Sequence, residues 1–155
     1  MRLRCFLIGF ILLGSASVQA QVSGKFEYPM TNIIKMSVDD GTDINNPGAS
    51  PSFTITFNSK DSLVYAINQG TVNSVINVDS AFVVLIKYKD SSYAYSNLKA
   101  VAIKQGDEIS DGQVIGYADF DTDKNCYLLD MIITDGKDIL LLKKKNFVPR
   151  LQKTN

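Results

Sequence analysis

Short apolar runs, broken every few residues by Gly, Asn, Asp or Ser and with no long amphipathic helical stretch among them, limit this chain to a β-rich fold. The runs fall at 54–57, 63–66, 70–77, 82–88, 92–96, 113–118 and 127–134. Phe53, Ile55 and Phe57 alternate with polar residues and so share one face of a strand; Val83, Leu85 and Tyr88 belong to the next apolar strand. That rhythm predicts an antiparallel sandwich or barrel. A further strand is expected at 32–38, followed by a turn-rich loop over 39–51. Residues 139–142 are expected to close the sheet after the Asp135-Gly136 turn. Beyond them Phe147 and Val148 pin an extended tail that becomes disordered toward Asn155.

Residues 1–20 carry Arg2 and Arg4, an apolar run from Cys5 to Leu13, and small residues ending at Ala20. This is the pattern of a secretory leader, with cleavage expected before Gln21. The run is too short to span a bilayer comfortably, and no later stretch reaches the necessary length. The mature protein is therefore expected to be exported, periplasmic or extracellular, with no membrane span. Cys5 lies inside the leader rather than at its end, which argues against lipidation. Cys126 is then the sole mature thiol, so no internal disulfide forms. With no histidine in the chain to serve as its base, Cys126 reads as a buried structural residue rather than a nucleophile.

Removing the two leader arginines leaves 14 basic against 16 acidic residues, a balance that gives no electrostatic case for a nucleic-acid partner. Lys143, Lys144, Lys145, Arg150 and Lys153 form a local basic tail. It reads as a solvated C-terminal face, with contact to an anionic envelope polymer as the sharper alternative. A mature length of about 135 residues fits one domain with a substantial core.

Between Leu98 and Tyr117 the apolar residues Val101, Ile103, Ile109, Val114 and Ile115 are interrupted by Gly106-Asp107 and Asp111-Gly112, pairs that tolerate positive φ. Two short strands around a tight turn are expected. This segment resembles the hairpin of the lysostaphin-type, or LytM-like, murein endopeptidases and, more loosely, of lipoyl and biotinyl carrier domains. The resemblance continues upstream, where Leu63 to Val72 is similar to the family's Pro-Val-Tyr-Ala-x-x-x-Gly-x-Val, and Tyr95-Ser-Asn-Leu98 stands where it places Tyr-x-His-Leu. Downstream, the strand from Tyr127 to Ile133 and the turn Asp135-Gly136-Lys137 resemble the final His-x-His strand and its Asn-Gly-Lys turn. The implied fold is all-β, a small antiparallel barrel-sandwich hybrid (duplicated hybrid motif). The expected organisation is a leader at 1–20, an extension and loop at 21–52, the LytM-like domain at 53–142 and the basic tail at 143–155.

The resemblance implies a catalytic zinc held by a His-x-x-x-Asp pair and the last histidine of His-x-His, with further histidines acting on water and the transition state. Here those imidazoles are missing. Asn97 replaces the histidine of Tyr-x-His-Leu, and Tyr127 and Leu129 replace the His-x-His pair. The first pair has two registers: Asp39 with Asp43, which needs a long insertion before Val64, or Pro51 with Ile55 in the ungapped alignment, which we favour. Neither register rebuilds a hydrolytic site, because Leu129 has no donor atom. No catalytic residue, catalytic metal or cofactor is expected, and the chain reads as an inactive homologue.

Asp119, Asp121, Asp123 and Asn125, with Asp130 eleven positions after Asp119, partly match the oxygen spacing of a calcium loop. Lys124 stands where glycine permits the bend and brings a positive charge, so an acidic hairpin turn is the favoured reading. A carrier role fails because Lys60 and Lys104 lack the setting of a modifiable hairpin-tip lysine. Among Tyr88, Tyr93, Tyr95, Phe120 and Tyr127, aromatic faces for sugar or peptide stacking are expected near the groove that the resemblance implies. Tyr95 is expected to pack inward and Asn97 to line that groove, with Tyr127, Leu129 and Asp130 around it. The expected role is binding of peptidoglycan or regulation of a cell-wall hydrolase. The competing reading is a structural or protein-interaction domain whose groove Tyr127 and Leu129 have closed.

Overall fold

The computed structural model describes residues 25–40, 53–140 and 142–150. Among these the strands are β1 (Phe26–Glu27), β2 (Ile33–Asp40), β3 (Phe53–Ser59), β4 (Leu63–Tyr65), β5 (Gly70–Val78), β6 (Ala81–Tyr88), β7 (Ser91–Val101), β8 (Glu108–Ile109), β9 (Val114–Asp121), β10 (Cys126–Asp135), β11 (Asp138–Ile139) and β12 (Phe147–Val148). The main sheet runs β2-β3-β10-β9-β7-β6-β5-β8, with β4 on β9 and β11 on β10. Every pairing in it is antiparallel, so the all-β antiparallel expectation holds.

Strict alternation builds the core. Ile55 and Phe57 on β3, Leu129, Met131 and Ile133 on β10, Tyr93 and Tyr95 on β7, and Val84 and Ile86 on β6 are all buried. Their neighbours Thr56, Asp130, Ser96 and Leu85 turn to the other face and are half-buried. Tyr95 is wholly enclosed, and its hydroxyl accepts a hydrogen bond from the Ile67 backbone N–H at 3.0 Å. Burial pushes the Tyr95 hydroxyl far above its ordinary pKa.

Strand β10 organises the sheet because it has different neighbours along its length. It pairs with β3 from Tyr127 to Met131, with β9 from Cys126 to Leu128, and with β7 from Asp130 to Asp135. Strand β7 leaves β10 beyond Ser96 and joins β9 at Leu98, with register irregularities against both β6 and β9 at that point. Asn97 sits in this fork at φ 64°, a left-handed conformation that asparagine tolerates better than most residues. Close packing of the branch requires Gly116, where an added Cβ would lie 2.4 Å from the Ala100 carbonyl oxygen.

The Leu98–Tyr117 segment forms the expected hairpin: it turns at Gly106 and Gly112, both at positive φ, and Leu98, Ala100 and Val101 of β7 pair with Ala118, Tyr117 and Gly116 of β9, while the short β8 between them pairs with β5. Two local expectations are altered. The expected closing strand is reduced to Asp138–Ile139, which pairs with Thr134 and Asp135 of β10. Arg150 is not part of a solvated face. Its guanidinium lies 2.8 Å from Glu27, donates to the carbonyls of Tyr28 and Ala66, and stacks 4.8 Å from the Tyr65 ring centroid. Arg150 is held here because β12 pairs in parallel with β1, and Phe147 packs against Phe26, Tyr28 and Phe57. Lys143, Lys144 and Lys145 remain exposed.

Candidate functional site

At the fork between β7 and β9, three strands bring polar side chains onto one face. Thr56 on β3 and Ser96 on β7 stand opposite Asp130 of β10 in register, and Asn97 follows Ser96 at the bulge. The Thr56 hydroxyl donates to Asp130 Oδ1 at 2.6 Å, and Asn97 Nδ2 donates to Asp130 Oδ2 at 2.6 Å. Both carboxylate oxygens are thus held by neutral donors, which fix the carboxylate's orientation without cancelling its charge. The cluster is half-buried.

Of the five residues expected around the groove, the structure brings together Asn97 and Asp130. Leu129 and Tyr95 lie in the core, and Tyr127 points away from Asp130, its ring forming an edge-to-face pair with Phe120 at 5.1 Å. Tyr93 is buried as well and offers no face for stacking, whereas Phe120 is substantially exposed. Thr56 was missed. The polar cluster lies one residue beyond the positions that spacing assigned, Thr56 rather than Ile55 and Asp130 rather than Leu129. In a strand, a slip of one residue exchanges core face for solvent face. The signal was available, since Ile55 falls on the apolar face shared with Phe53 and Phe57. Pro51 and Asp43 lie outside the described residues, and Asp39 is on the exposed strand β2.

The donor set does not fit the zinc that the resemblance implies. One carboxylate, one hydroxyl and one carboxamide offer a single anionic ligand and no imidazole, and the carboxylate is already engaged by the other two. Among the described residues no group of three or more His, Cys, Asp or Glu side chains is placed to hold a metal ion.

The segment from Asp119 to Asn125 spans the end of β9 and the turn into β10. Asp121 accepts the Lys124 backbone N–H at 2.9 Å and pairs with its ammonium at 3.1 Å, while Asp119 faces Lys99 at 3.9 Å. The hydrogen bonds and charge of Lys124 hold the Asp121 carboxyl below its ordinary pKa. Lys124 therefore occupies the place beside Asp121 that a cation would need. Cys126 is buried at the start of β10, with Asn58 Nδ2 donating to its sulfur at 3.4 Å.

Comparison with known proteins bears on the family and the fold. The model of peptidase family M23 matches residues 51–137. No curated protein matches the chain. Among solved structures, Csd3 of Helicobacter pylori is similar with a TM-score of 0.60 and 16% identity, over 76% of this chain and 33% of that one. A zinc-containing peptidase from Vibrio cholerae is similar with a TM-score of 0.59 and 15% identity, over 77% and 40%. A chain of the SpoIIIAH and SpoIIQ complex is similar with a TM-score of 0.56 and 20% identity, over 75% and 96%. This chain therefore spans only about a third of the length of Csd3. At these identities the likeness concerns the fold. The family match across more than half the sequence, on an antiparallel sheet of this topology, means that the chain belongs to peptidase family M23 and carries a LytM-like domain.

Proposed function

We propose that this chain is an exported, non-catalytic M23 domain that uses the face around Asp130 to bind peptidoglycan. The observation that carries the reading is that Ile55 and Leu129, the positions the resemblance assigns to metal ligands, are buried apolar residues, while the opposite face of the same strands carries Asp130 held by Thr56 and Asn97, in a chain without histidine. Hydrolysis by a zinc-bound water needs several metal ligands and a base, and a lone engaged carboxylate supplies neither together. What the cluster does supply is a fixed negative charge with amide and hydroxyl groups beside it. Those groups suit the amides and amines of a peptide stem. The leader ending at Ala20 supports delivery to the envelope.

A protein partner such as a cell-wall hydrolase is the second reading. It draws on the similar chain solved within the SpoIIIAH and SpoIIQ complex. Both readings are tested by co-sedimenting the chain from Gln21 onward, which contains every described residue, with insoluble peptidoglycan, and by metal analysis of the same sample. We expect saturable binding, weakened about tenfold by Asp130→Ala, with no stoichiometric zinc and no release of soluble fragments. Absence of binding would overturn the peptidoglycan reading in favour of a protein partner. Bound zinc with fragment release would overturn the non-catalytic one.

A further inference from the structure

The main sheet ends at β2, which pairs with β3 alone among the described residues. From Lys35 to Asp40 its register against β3 is free of irregularity, so its outer edge is a regular run of backbone donors and acceptors. The side chains alternate. Lys35, Ser37 and Asp39 stand opposite Asn58, Thr56 and Thr54 on the polar face and are exposed, while Met36 and Val38 stand opposite Phe57 and Ile55 on the core side. Val38 is 38% exposed, which leaves the apolar side of the edge partly uncovered, and Ile34, at the register irregularity, is 55% exposed.

We propose that β2 pairs antiparallel with β2 of a second copy of this chain, about a two-fold axis at Ser37. The order of charges selects this register. Opposed residues of an antiparallel pair point to the same face, so an axis at Ser37 sets Met36 against Val38 and Lys35 against Asp39, each twice by symmetry. An axis at Met36 sets Lys35 against Ser37 and Ile33 against Asp39. An axis at Val38 sets Met36 against Asp40. An axis between two residues turns the polar face of one copy onto the core face of the other. The Ser37 register alone sets opposite charges against each other, Lys35 against Asp39, and it keeps Met36 against Val38, while Ile34, at the register irregularity, falls against Asp40.

The pairing also extends the candidate site. Ser37, Thr56, Asp130 and Ser96 occupy one row across β2, β3, β10 and β7. Two copies joined at Ser37 make one continuous polar strip with the two Asp130 residues about 24 Å apart, five interstrand spacings. Such a strip holds a repeating polymer at two points, a consequence that rests on the proposed function, whereas the dimer itself does not.

Sedimentation equilibrium of the chain from Gln21 onward, over a concentration series, is expected to show a monomer–dimer equilibrium. Lys35→Asp opposes like charges twice, and Asp39→Lys does the same; each is expected to weaken dimerisation about tenfold. The double exchange Lys35→Asp with Asp39→Lys is expected to restore it, a rescue that general damage to the strand does not produce. Ser37→Cys is expected to give a disulfide-linked dimer on oxidation, since the two positions meet at the axis. A monomer at all concentrations, or a dimer unmoved by both single reversals, overturns the proposal. The monomeric variants, co-sedimented with peptidoglycan, separate the two ideas: binding by single copies keeps the function without the dimer, and a dimer that binds no peptidoglycan keeps the interface without that function.

Discussion

Asn97 on β7 and Asp130 on β10, 33 positions apart in the chain, are joined by a 2.6 Å hydrogen bond at the point where β7 leaves β10 for β9. Asn97 serves two ends there: its backbone takes the left-handed turn of the bulge, and its amide holds the carboxylate. The two roles separate by mutation. Asn97→Gly keeps the backbone and loses the amide, at an expected cost of about 1 kcal/mol. Asn97→Ala loses both, at an expected cost of about 2 kcal/mol. Urea denaturation of the two variants checks the order, and an alanine variant as stable as the glycine one would remove the backbone role.

The Arg150 clasp ties Glu27 and Tyr28 to Tyr65 and Ala66. Its guanidinium is largely buried, whereas Glu27 is 41% exposed, so the ion pair itself is screened and contributes little. The weight falls on the two backbone carbonyls and the Tyr65 ring. Arg150→Ala is expected to cost about 2 kcal/mol and Glu27→Ala under about 1 kcal/mol. Arg150→Lys, which keeps the charge without the planar fork, is expected to fall nearer to Arg150→Ala. Thermal melts of the three variants decide it.

The one-residue displacement of the polar cluster has a direct test in histidine substitution. Leu129→His sets an imidazole into the core and is expected to lower stability by about 3 kcal/mol, as removal of a well-packed leucine does. Asp130→His stands on the half-buried polar face and is expected to be tolerated within about 1.5 kcal/mol. Equal destabilisation of both variants in denaturant melts would contradict the face assignment.

The Asp121–Lys124 pair gives a signed pH effect. Asp121 has a folded pKa below its unfolded value, so its contribution is present above the ordinary aspartate range near ~3.9 and is lost as pH falls through the lower folded value. The group is exposed, so the effect is small and screened by salt. An NMR titration is expected to place the Asp121 midpoint below that of an ordinary aspartate. Lys124→Ala is expected to return it upward, and a midpoint unchanged by that substitution would show that Lys124 is not the cause.

Much of the architecture was legible in the sequence because alternation and turn residues act locally. The strands at β3, β5, β6, β9 and β10 fall where apolar runs met Gly, Asn, Asp and Ser, and the inward packing of Tyr95 follows from its place in an alternating run. Less was legible at the candidate site. Asn97 and Asp130 were expected near one groove, but Leu129 was placed there with them and Thr56 was not. Motif spacing counted back from Val64, or along the strand from Tyr127, carries an uncertainty of one residue, and one residue is enough to exchange faces in a strand. Arg150 was read as part of a charged tail because nothing near it in sequence announces Glu27, Tyr28, Tyr65 or Ala66.

By itself the sequence determined the chemistry available and the class of fold. A chain with no histidine has no imidazole to place, whatever its topology, and period-two apolar runs with turn pairs between them form sheets. Tertiary structure alone decided which polar groups meet. Asp130 finds Thr56 across 74 positions and Asn97 across 33, and β8 pairs with β5 rather than with its sequence neighbour β9. These outcomes depend on strand order and register, which are set by how all the apolar faces share one core, and no local stretch of sequence contains that information.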